Sequence, residues 1–418
     1  MERVVITGIG AVSPLGNSIH DSWVAAKAGL SGIGPITRFN ASEMRWNVAG
    51  ELRGFDAGEY LFIKEINRLD PFARYAVAAA TMAAEDAGLI SHHSSLITHH
   101  SSLDLGGVII GSSRGGIGTI EKELQKIYQS HDTHNSPHIS AYVMPSTTIS
   151  MASSTVAQKL GIKGYCLGIS NACASGTNAI GEAYRLIRAG YQGPVLCGGA
   201  EAPVCRLCVE GYGISGALSR VNDPSASKPF DRTRDGFVIA EGACILVVEN
   251  YENALRRGIR IYGEIAGYGN TTDAVHQTIP VPEGEARAIK RALDEAGLKP
   301  ENIDYINAHG TSTPLGDKTE TKAIKIVFGE KANRIPVSAV KSMTGHMLAA
   351  SGALESAFTL MSMKEGVIPP TINLKKSDPE CDLDYVTELR RVEIDIALSH
   401  SFGFGGVNAV LVFRRLSA

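Results

Sequence analysis

Apolar residues recur at helical spacing over residues 71–87, 174–189, 284–296, 319–328 and 349–364, which predicts five helices that each bury one face. Between them run short unbroken apolar stretches. Residues 108–110, 243–248 and 409–413 read as buried strands, and 4–6, 303–306 and 335–340 read as strands too. Strands and helices alternate along the chain. That alternation predicts an α/β architecture in which helices cover largely buried sheets. Glycines gather where the strands end, at Gly8/Gly10, Gly111/Gly115/Gly116, Gly198/Gly199 and Gly403/Gly405/Gly406, and mark tight turns and close backbone approach.

The pattern also echoes itself. Ala174-Ser175-Gly176 opens a helical stretch ending at Gly190, and Ala350-Ser351-Gly352 opens another ending at Gly366; both glycine-to-glycine intervals are 14 residues. Each stretch carries an apolar face: Ile180, Ala183, Tyr184 and Ile187 in one, Leu354, Ala357, Phe358 and Met361 in the other. Such triplets are common in alanine-rich chains, but a duplication would make the protein two related halves meeting face to face. A second repeat, His92-His-Ser-Ser-Leu96 and His99-His-Ser-Ser-Leu103, lies in a polar stretch and reads as a slipped duplication in a surface loop rather than as a metal site.

Length and composition narrow the class. A chain of 418 residues exceeds what one hydrophobic core usually organises, which agrees with two halves. With 44% hydrophobic and 20% charged residues, neither a disordered chain nor a coiled coil fits. Forty Lys and Arg against 43 Asp and Glu leave a net charge of −3 without a long basic run, so the footprint of a nucleic-acid binder is missing. The longest stretch of small apolar residues, 75–84, is too short to span a bilayer, and the chain opens directly on a strand. A cytoplasmic protein is expected. Seven cysteines, an odd number in mostly apolar context, suit reduced thiols. Cys205-Arg-Leu-Cys208 has the spacing of half a zinc site, but no second half accompanies it, and no metal is expected.

Three residues stand where chemistry could occur. Cys173, in Asn-Ala-Cys-Ala-Ser-Gly, follows an apolar segment and is read as the first residue of a helix. Free backbone N–H groups there would lower the thiol pKa and make a nucleophile, although most cysteines are inert core residues. His309 and His346 each follow a strand-like run, the usual place for a site in an α/β protein, although singly either could be a core histidine. Two neutral imidazoles aimed at one oxygen can stabilise an enolate, while a nearby thiol holds an acyl group. Lys341 and Glu355 could form a buried pair or a solvated one. Ser401-Phe402-Gly-Phe404-Gly-Gly406 is followed by a strand and not a helix, so it is no dinucleotide loop.

Taken together, Asn-Ala-Cys173-Ala-Ser-Gly, His309-Gly-Thr-Ser-Thr-Pro-Leu-Gly-Asp317, Lys341-Ser-Met-Thr-Gly-His346 and Ser401-Phe-Gly-Phe-Gly-Gly406 resemble the β-ketoacyl-acyl-carrier-protein synthases, and within them the type II elongating enzymes of fatty acid synthesis. The resemblance runs over essentially the whole chain. It implies a thiolase-like five-layered α/β/α/β/α fold from two duplicated halves, here 1–255 with the nucleophilic cysteine and inserted loops, and 256–418 with the two histidines. It further implies a homodimer and an acyl carrier protein as partner, with no cofactor beyond the phosphopantetheine that carries the substrates. On this resemblance Cys173 takes the acyl group, and His309 and His346 bind the malonyl thioester oxygen. Lys341 and Glu355 support them. The backbone N–H groups of Cys173 and Phe402 form the oxyanion hole, Thr311 and Thr313 bind the phosphopantetheine arm, and Phe402 is the gating ring.

The chain departs from the pattern at three positions. Arg114 occupies a usually apolar acyl-pocket position, where a guanidinium would shorten the pocket or select a polar acyl end. His400 replaces a usual Asn, and Val407 a usual Thr. Rival readings remain on the same fold: a starter-type condensing enzyme or thiolase, a polyketide-type ketosynthase, or a chain-length partner subunit. His346 in the third role argues against the starter type, and the presence of Cys173 against the partner subunit.

Overall fold

Eleven strands form one mixed sheet in the computed structural model, which describes residues 2–91, 103–133 and 138–416. They are β1 (Val4–Val12), β2 (Gly107–Gly111), β3 (Cys166–Ile169), β4 (Val195–Glu201), β5 (Gly242–Asn250), β6 (Gly263–Thr272), β7 (Tyr305–Asn307), β8 (Pro336–Ser338), β9 (Asp384–Tyr385), β10 (Ile396–Gly403) and β11 (Val407–Arg414). The order across the sheet is β9-β8-β7-β10-β11-β6-β1-β5-β4-β2-β3. Two series of five strands with one topology lie within it. In β3-β2-β4-β5-β1 the first three strands are parallel and the last two pair antiparallel, and β8-β7-β10-β11-β6 repeats both the order and the directions. The series join where β1 meets β6, along three residue pairs from Val4–Ile265 to Ile6–Gly263.

Helices fill three layers around these two half-sheets. The main ones are α1 (Pro71–Asp86), α2 (Ile117–Thr133), α3 (Met151–Leu160), α4 (Ser175–Arg188), α5 (Arg206–Ile214), α6 (Pro282–Ala296), α7 (Pro314–Phe328) and α8 (Ser351–Glu365). Strand alternation assigns the faces. Val195 and Cys197 of β4, with Ala409, Leu411 and Phe413 of β11, pack on the central pair α4 and α8. Leu196 of β4 faces α1 and α3 on one outer side, and Val410 and Val412 of β11 face α6 and α7 on the other. The result is the α/β/α/β/α layering, built from two repeats.

The central helices are the echoed stretches, and the structure explains their small residues. A Cβ on Gly176 would lie 2.3 Å from the carbonyl oxygen of Ala349, and one on Gly352 would lie 2.0 Å from Oγ1 of Thr177. The two helix starts therefore approach one another more closely than any side chain allows. Apolar periodicity located these helices well but missed one cap. α7 begins at Pro314 rather than near residue 319, because Thr313 caps it by accepting the N–H of Gly316 at 3.2 Å and proline suits the first helical position. The His92–Ser102 part of the histidine repeat lies outside the described residues. Among the described residues, no helix is long and apolar enough to cross a membrane.

Replacing Gly176 with Ala should cost about 1–3 kcal/mol through overpacking against the Ala349 backbone. Urea unfolding of the variant checks this, and an unchanged midpoint would contradict the packing described.

Candidate active site

Cys173 sits in the turn between β3 and α4, and that turn is strained and tied down. Ala172 has φ 47°, a left-handed conformation unusual for a residue with a side chain. The hydroxyl of Ser175 holds it from both sides, donating to the carbonyl of Ala172 at 2.6 Å and accepting the N–H of Asn171 at 2.8 Å. The helix starts at Ser175 with Ala174 as its cap, two residues later than the sequence pattern suggested. The expected lowering of the thiol pKa is therefore corrected. Burial pushes the Cys173 thiol up to about 11, opposed by the positive charge of Lys341 and by the backbone N–H of Phe404, which donates toward the sulfur. Desolvation of the thiolate outweighs these favourable contacts.

His309 follows β7, and its loop is built around carboxylates of α7. Its backbone N–H donates to Glu320 Oε1 at 2.8 Å, and the N–H of Gly310 donates to Glu320 Oε2 at 2.8 Å. Ser312, with φ 71°, donates its N–H to Asp317 at 3.1 Å, and Asp317 also accepts the N–H of Phe230 at 2.7 Å. Burial pushes Asp317 up to about 7, against the attraction of Arg234. His346 lies between the one-turn helix Lys341–Thr344 and α8, with its backbone N–H on the carbonyl of Val238 at 2.7 Å.

The two imidazoles meet edge to face, ring centres 5.5 Å apart at 84°. Burial pushes both well below the ordinary histidine range, with the charge of Lys341 adding to the effect, so both are neutral. The tautomer of His309 follows from its partner. Lys341 Nζ lies 3.3 Å from Nδ1 of His309, and an ammonium can only donate, so His309 carries its proton on Nε2. Nδ1 of His346 pairs with the hydroxyl of Ser351 at 3.0 Å, leaving a buried Nε2 without a protein partner. Nε2 of His346 is thus available to a ligand, while the ring of His309 also meets the backbone carbonyl of Phe402.

Lys341 and Glu355 are 1% and 2% exposed and paired directly, so the buried reading holds and the solvated one does not. The ammonium also donates to the carbonyl of His309 at 2.7 Å. Burial raises Glu355 to about 7, with Lys341 opposing.

A cavity of about 440 Å³ is lined by Cys173, His309, His346, Thr311, Thr313, Phe402 and Phe404 among others. Residues remote in sequence converge there. The Thr311 and Thr313 hydroxyls lie 3.0 Å apart on one wall. Phe402 is buried in β10 with its ring 5.9 Å from that of His309, whereas Phe404 keeps 37% of its surface exposed and carries the N–H that reaches Cys173. Of the two rings it is thus Phe404, not Phe402, that is exposed beside the cavity and carries an N–H next to the sulfur. β10 ends at Gly403, so Phe402 is fixed by strand pairing with Asn408 and Phe404 lies in the free turn. Arg114 does not line this cavity. Its Nε donates to the hydroxyl of Tyr212 at 2.8 Å, and Tyr212 packs in the apolar cluster that also holds Cys173. His400 is fully buried, with Nδ1 3.0 Å from Glu320.

Sequence reasoning missed Glu320, Ser351 and Phe237, whose ring stands edge-on to His346 at 5.2 Å. Only the acidic residue in the buried face of the helix after the His309 motif offered a signal for the first.

Comparison with known proteins places the chain in a family. Residues 1–254 match the family model for the β-ketoacyl synthase N-terminal domain, and residues 262–375 match the C-terminal domain. A 3-oxoacyl-[acyl-carrier-protein] synthase 2 from Synechocystis is 46% identical, covering 99% of this chain and 98% of that one. One of the same description from Staphylococcus aureus is 44% identical, covering 100% and 99%. Among solved structures, a β-ketoacyl synthase from Burkholderia phymatum aligns with a TM-score of 0.91 at 36% identity over 100% of both chains. A type II polyketide ketosynthase, in complex with its acyl-carrier protein, aligns with a TM-score of 0.87 at 34% identity, covering 99% of this chain and 100% of that one. With both domain models matched in order and relatives similar from end to end, the chain belongs to the β-ketoacyl synthase family.

Proposed function

We propose that this protein elongates acyl groups carried by an acyl carrier protein, with Cys173, His309 and His346 as its catalytic residues. The observation that carries the reading is one cavity holding a thiol and two neutral imidazoles, one of them with a buried Nε2 that has no protein partner. In the first step the Cys173 sulfur attacks the thioester of the acyl carrier protein. The new C–S bond forms as the carrier's bond breaks, and the proton leaves with the carrier thiol. The N–H groups of Cys173 and Phe404 stabilise the tetrahedral oxyanion, Phe404 taking the role the resemblance gave to Phe402.

Malonyl carrier protein then enters with its thioester oxygen toward the two imidazoles. Loss of CO₂ leaves the electron pair as an enolate, which two N–H donors stabilise without becoming charged themselves. The enolate carbon attacks the acyl-Cys173 carbonyl, the C–S bond breaks, and a 3-oxoacyl carrier protein two carbons longer departs. Neutral histidines suit this better than charged ones, because an imidazolium would also hold the malonate carboxylate in place. Thr311 and Thr313 line the cavity where a phosphopantetheine arm would pass, and no step calls on a redox cofactor.

The halves 1–255 and 256–418 fit the repeated strand order. A homodimer fits the exposed edge strand β3, flanked by Leu105 at 77% exposure and Tyr165 at 42%. A cytoplasmic location suits a pathway whose substrates ride on a protein. The identity of 46% to a 3-oxoacyl-carrier-protein synthase against 34% to the polyketide enzyme favours fatty acid synthesis.

Cys173→Ala should abolish condensation in an assay with acyl and malonyl carrier proteins; persisting product would refute the nucleophile. His346→Ala should lower decarboxylation of malonyl carrier protein about 10²–10³-fold, the loss expected for one oxyanion donor. With the thiol raised to about 11, alkylation of Cys173 by iodoacetamide should speed up roughly tenfold per unit from pH 7 to pH 10. A plateau near pH 7 would contradict a buried, protonated thiol. With Arg114 held on Tyr212 outside the cavity, Arg114→Ile should leave the accepted acyl length unchanged, read as turnover across carriers of graded length, and a longer preferred chain would place Arg114 in the acyl pocket.

A further inference from the structure

Cys205 and Cys208 take no part in the condensation. Cys205 is the N-cap of α5, in extended conformation at φ −135° and ψ 162°, and Cys208 lies in the first turn of the helix. Side chains three apart on a helix share a face, and these two thiols are hydrogen-bonded to one another. Both are 7% exposed, and among the described residues no group of three His, Cys, Asp or Glu is placed to hold a metal. Two of the backbone N–H groups at this helix start are engaged by a carboxylate, while that of Cys208 reaches the Cys205 sulfur. The carboxylate of Glu121 in α2 accepts those of Arg206 at 3.3 Å and Leu207 at 2.5 Å.

We propose that Cys205 and Cys208 are a reversible dithiol–disulfide site in the wall behind Cys173, oxidised by a small-molecule disulfide. One thiol loses its proton and attacks the external disulfide, forming a mixed disulfide and releasing one small thiol. The second attacks the mixed bond, closes Cys205–Cys208 and releases the other small thiol. Two protons and two electrons pass from the protein to the external disulfide. The spacing suits the bond, since Cα atoms three apart at a helix start fall inside the range of roughly 4.4–6.8 Å that a disulfide spans. The hydrogen bond from Cys208, with burial, holds the Cys205 thiol above its ordinary range, and Glu121 adds repulsion. A thiolate is therefore disfavoured here, unlike in strongly oxidising pairs.

The site is coupled to the chemistry by packing. Cys205, Cys208, Phe237 and Leu348 form one apolar cluster, against which Tyr212 and Cys173 pack. Tyr212 stands edge-on to Phe237 at 5.5 Å, and Phe237 edge-on to His346 at 5.2 Å. Drawing two sulfurs from hydrogen-bond contact to about 2.05 Å shifts the first turn of α5 under these rings.

The test uses the full chain incubated with glutathione disulfide, followed by intact mass and non-reducing peptide mapping. Wild type and Cys173→Ala should each lose two hydrogens at Cys205–Cys208, reversibly with dithiothreitol and faster at higher pH, while Cys205→Ala should not. Since the Cys173→Ala arm reads mass and not activity, it stands apart from the proposed condensation. Acyl loading of Cys173 should slow several-fold in oxidised wild type and not in the treated Cys205→Ala/Cys208→Ala variant. Two free thiols at these positions after prolonged oxidation would overturn the site, and equal loading rates in the two states would overturn its coupling to Cys173.

Discussion

One buried ion pair organises the site. Lys341 and Glu355 meet where almost no water reaches, and removing either partner would strand a charge in the interior. The ammonium does more than balance the carboxylate. It holds the His309 carbonyl, faces His309 Nδ1, and so fixes both the position of that loop and the tautomer of its ring. Its field also keeps both imidazoles neutral and favours the thiolate at Cys173. A single charge thereby acts on Cys173, His309 and His346 together. Glu355 stands on α8, so the same pair docks that helix to the loops carrying the two histidines.

Burial works in opposite senses on the two kinds of group. It keeps the histidines uncharged, which suits donors to an enolate, and it keeps the cysteine protonated, which does not suit a nucleophile. The structure offsets the second effect with Lys341, with the N–H of Phe404 and with a strained turn that presents the sulfur to the cavity. A second set of buried acids supports the opposite wall. Glu320 gathers the N–H groups of His309 and Gly310 together with the ring of His400, and Asp317 gathers those of Ser312 and Phe230. The loop after β7 is thus held mainly by its backbone.

The duplication gives this arrangement its frame. Two half-sheets of identical order sandwich α4 and α8, whose starts approach so closely that Gly176 and Gly352 have no room for a Cβ. Cys173 lies just before one of these helices and His346 just before the other, so the pseudo-symmetric contact brings the cysteine of one half to the histidine of its counterpart.

Much of this was legible in the chain itself. Apolar runs and helical spacing identified the central helices and the long buried strands, since burial on both faces leaves an unmistakable apolar record, and the echoed triplets pointed to two halves. Local motifs singled out Cys173, His309, His346, Lys341 and Glu355, because their stripped, small-residue surroundings are a property of sequence. Tertiary structure alone decided what those groups are chemically. The thiol is raised rather than lowered because the helix begins two residues after it and desolvation is a property of the whole fold. Phe404 rather than Phe402 reaches the sulfur because strand pairing ends at Gly403, and Arg114 lies beside Tyr212 rather than in the cavity because its loop packs against α5. Distance along a chain says which residues are neighbours in sequence; charge, protonation and reach depend on which residues are neighbours in space.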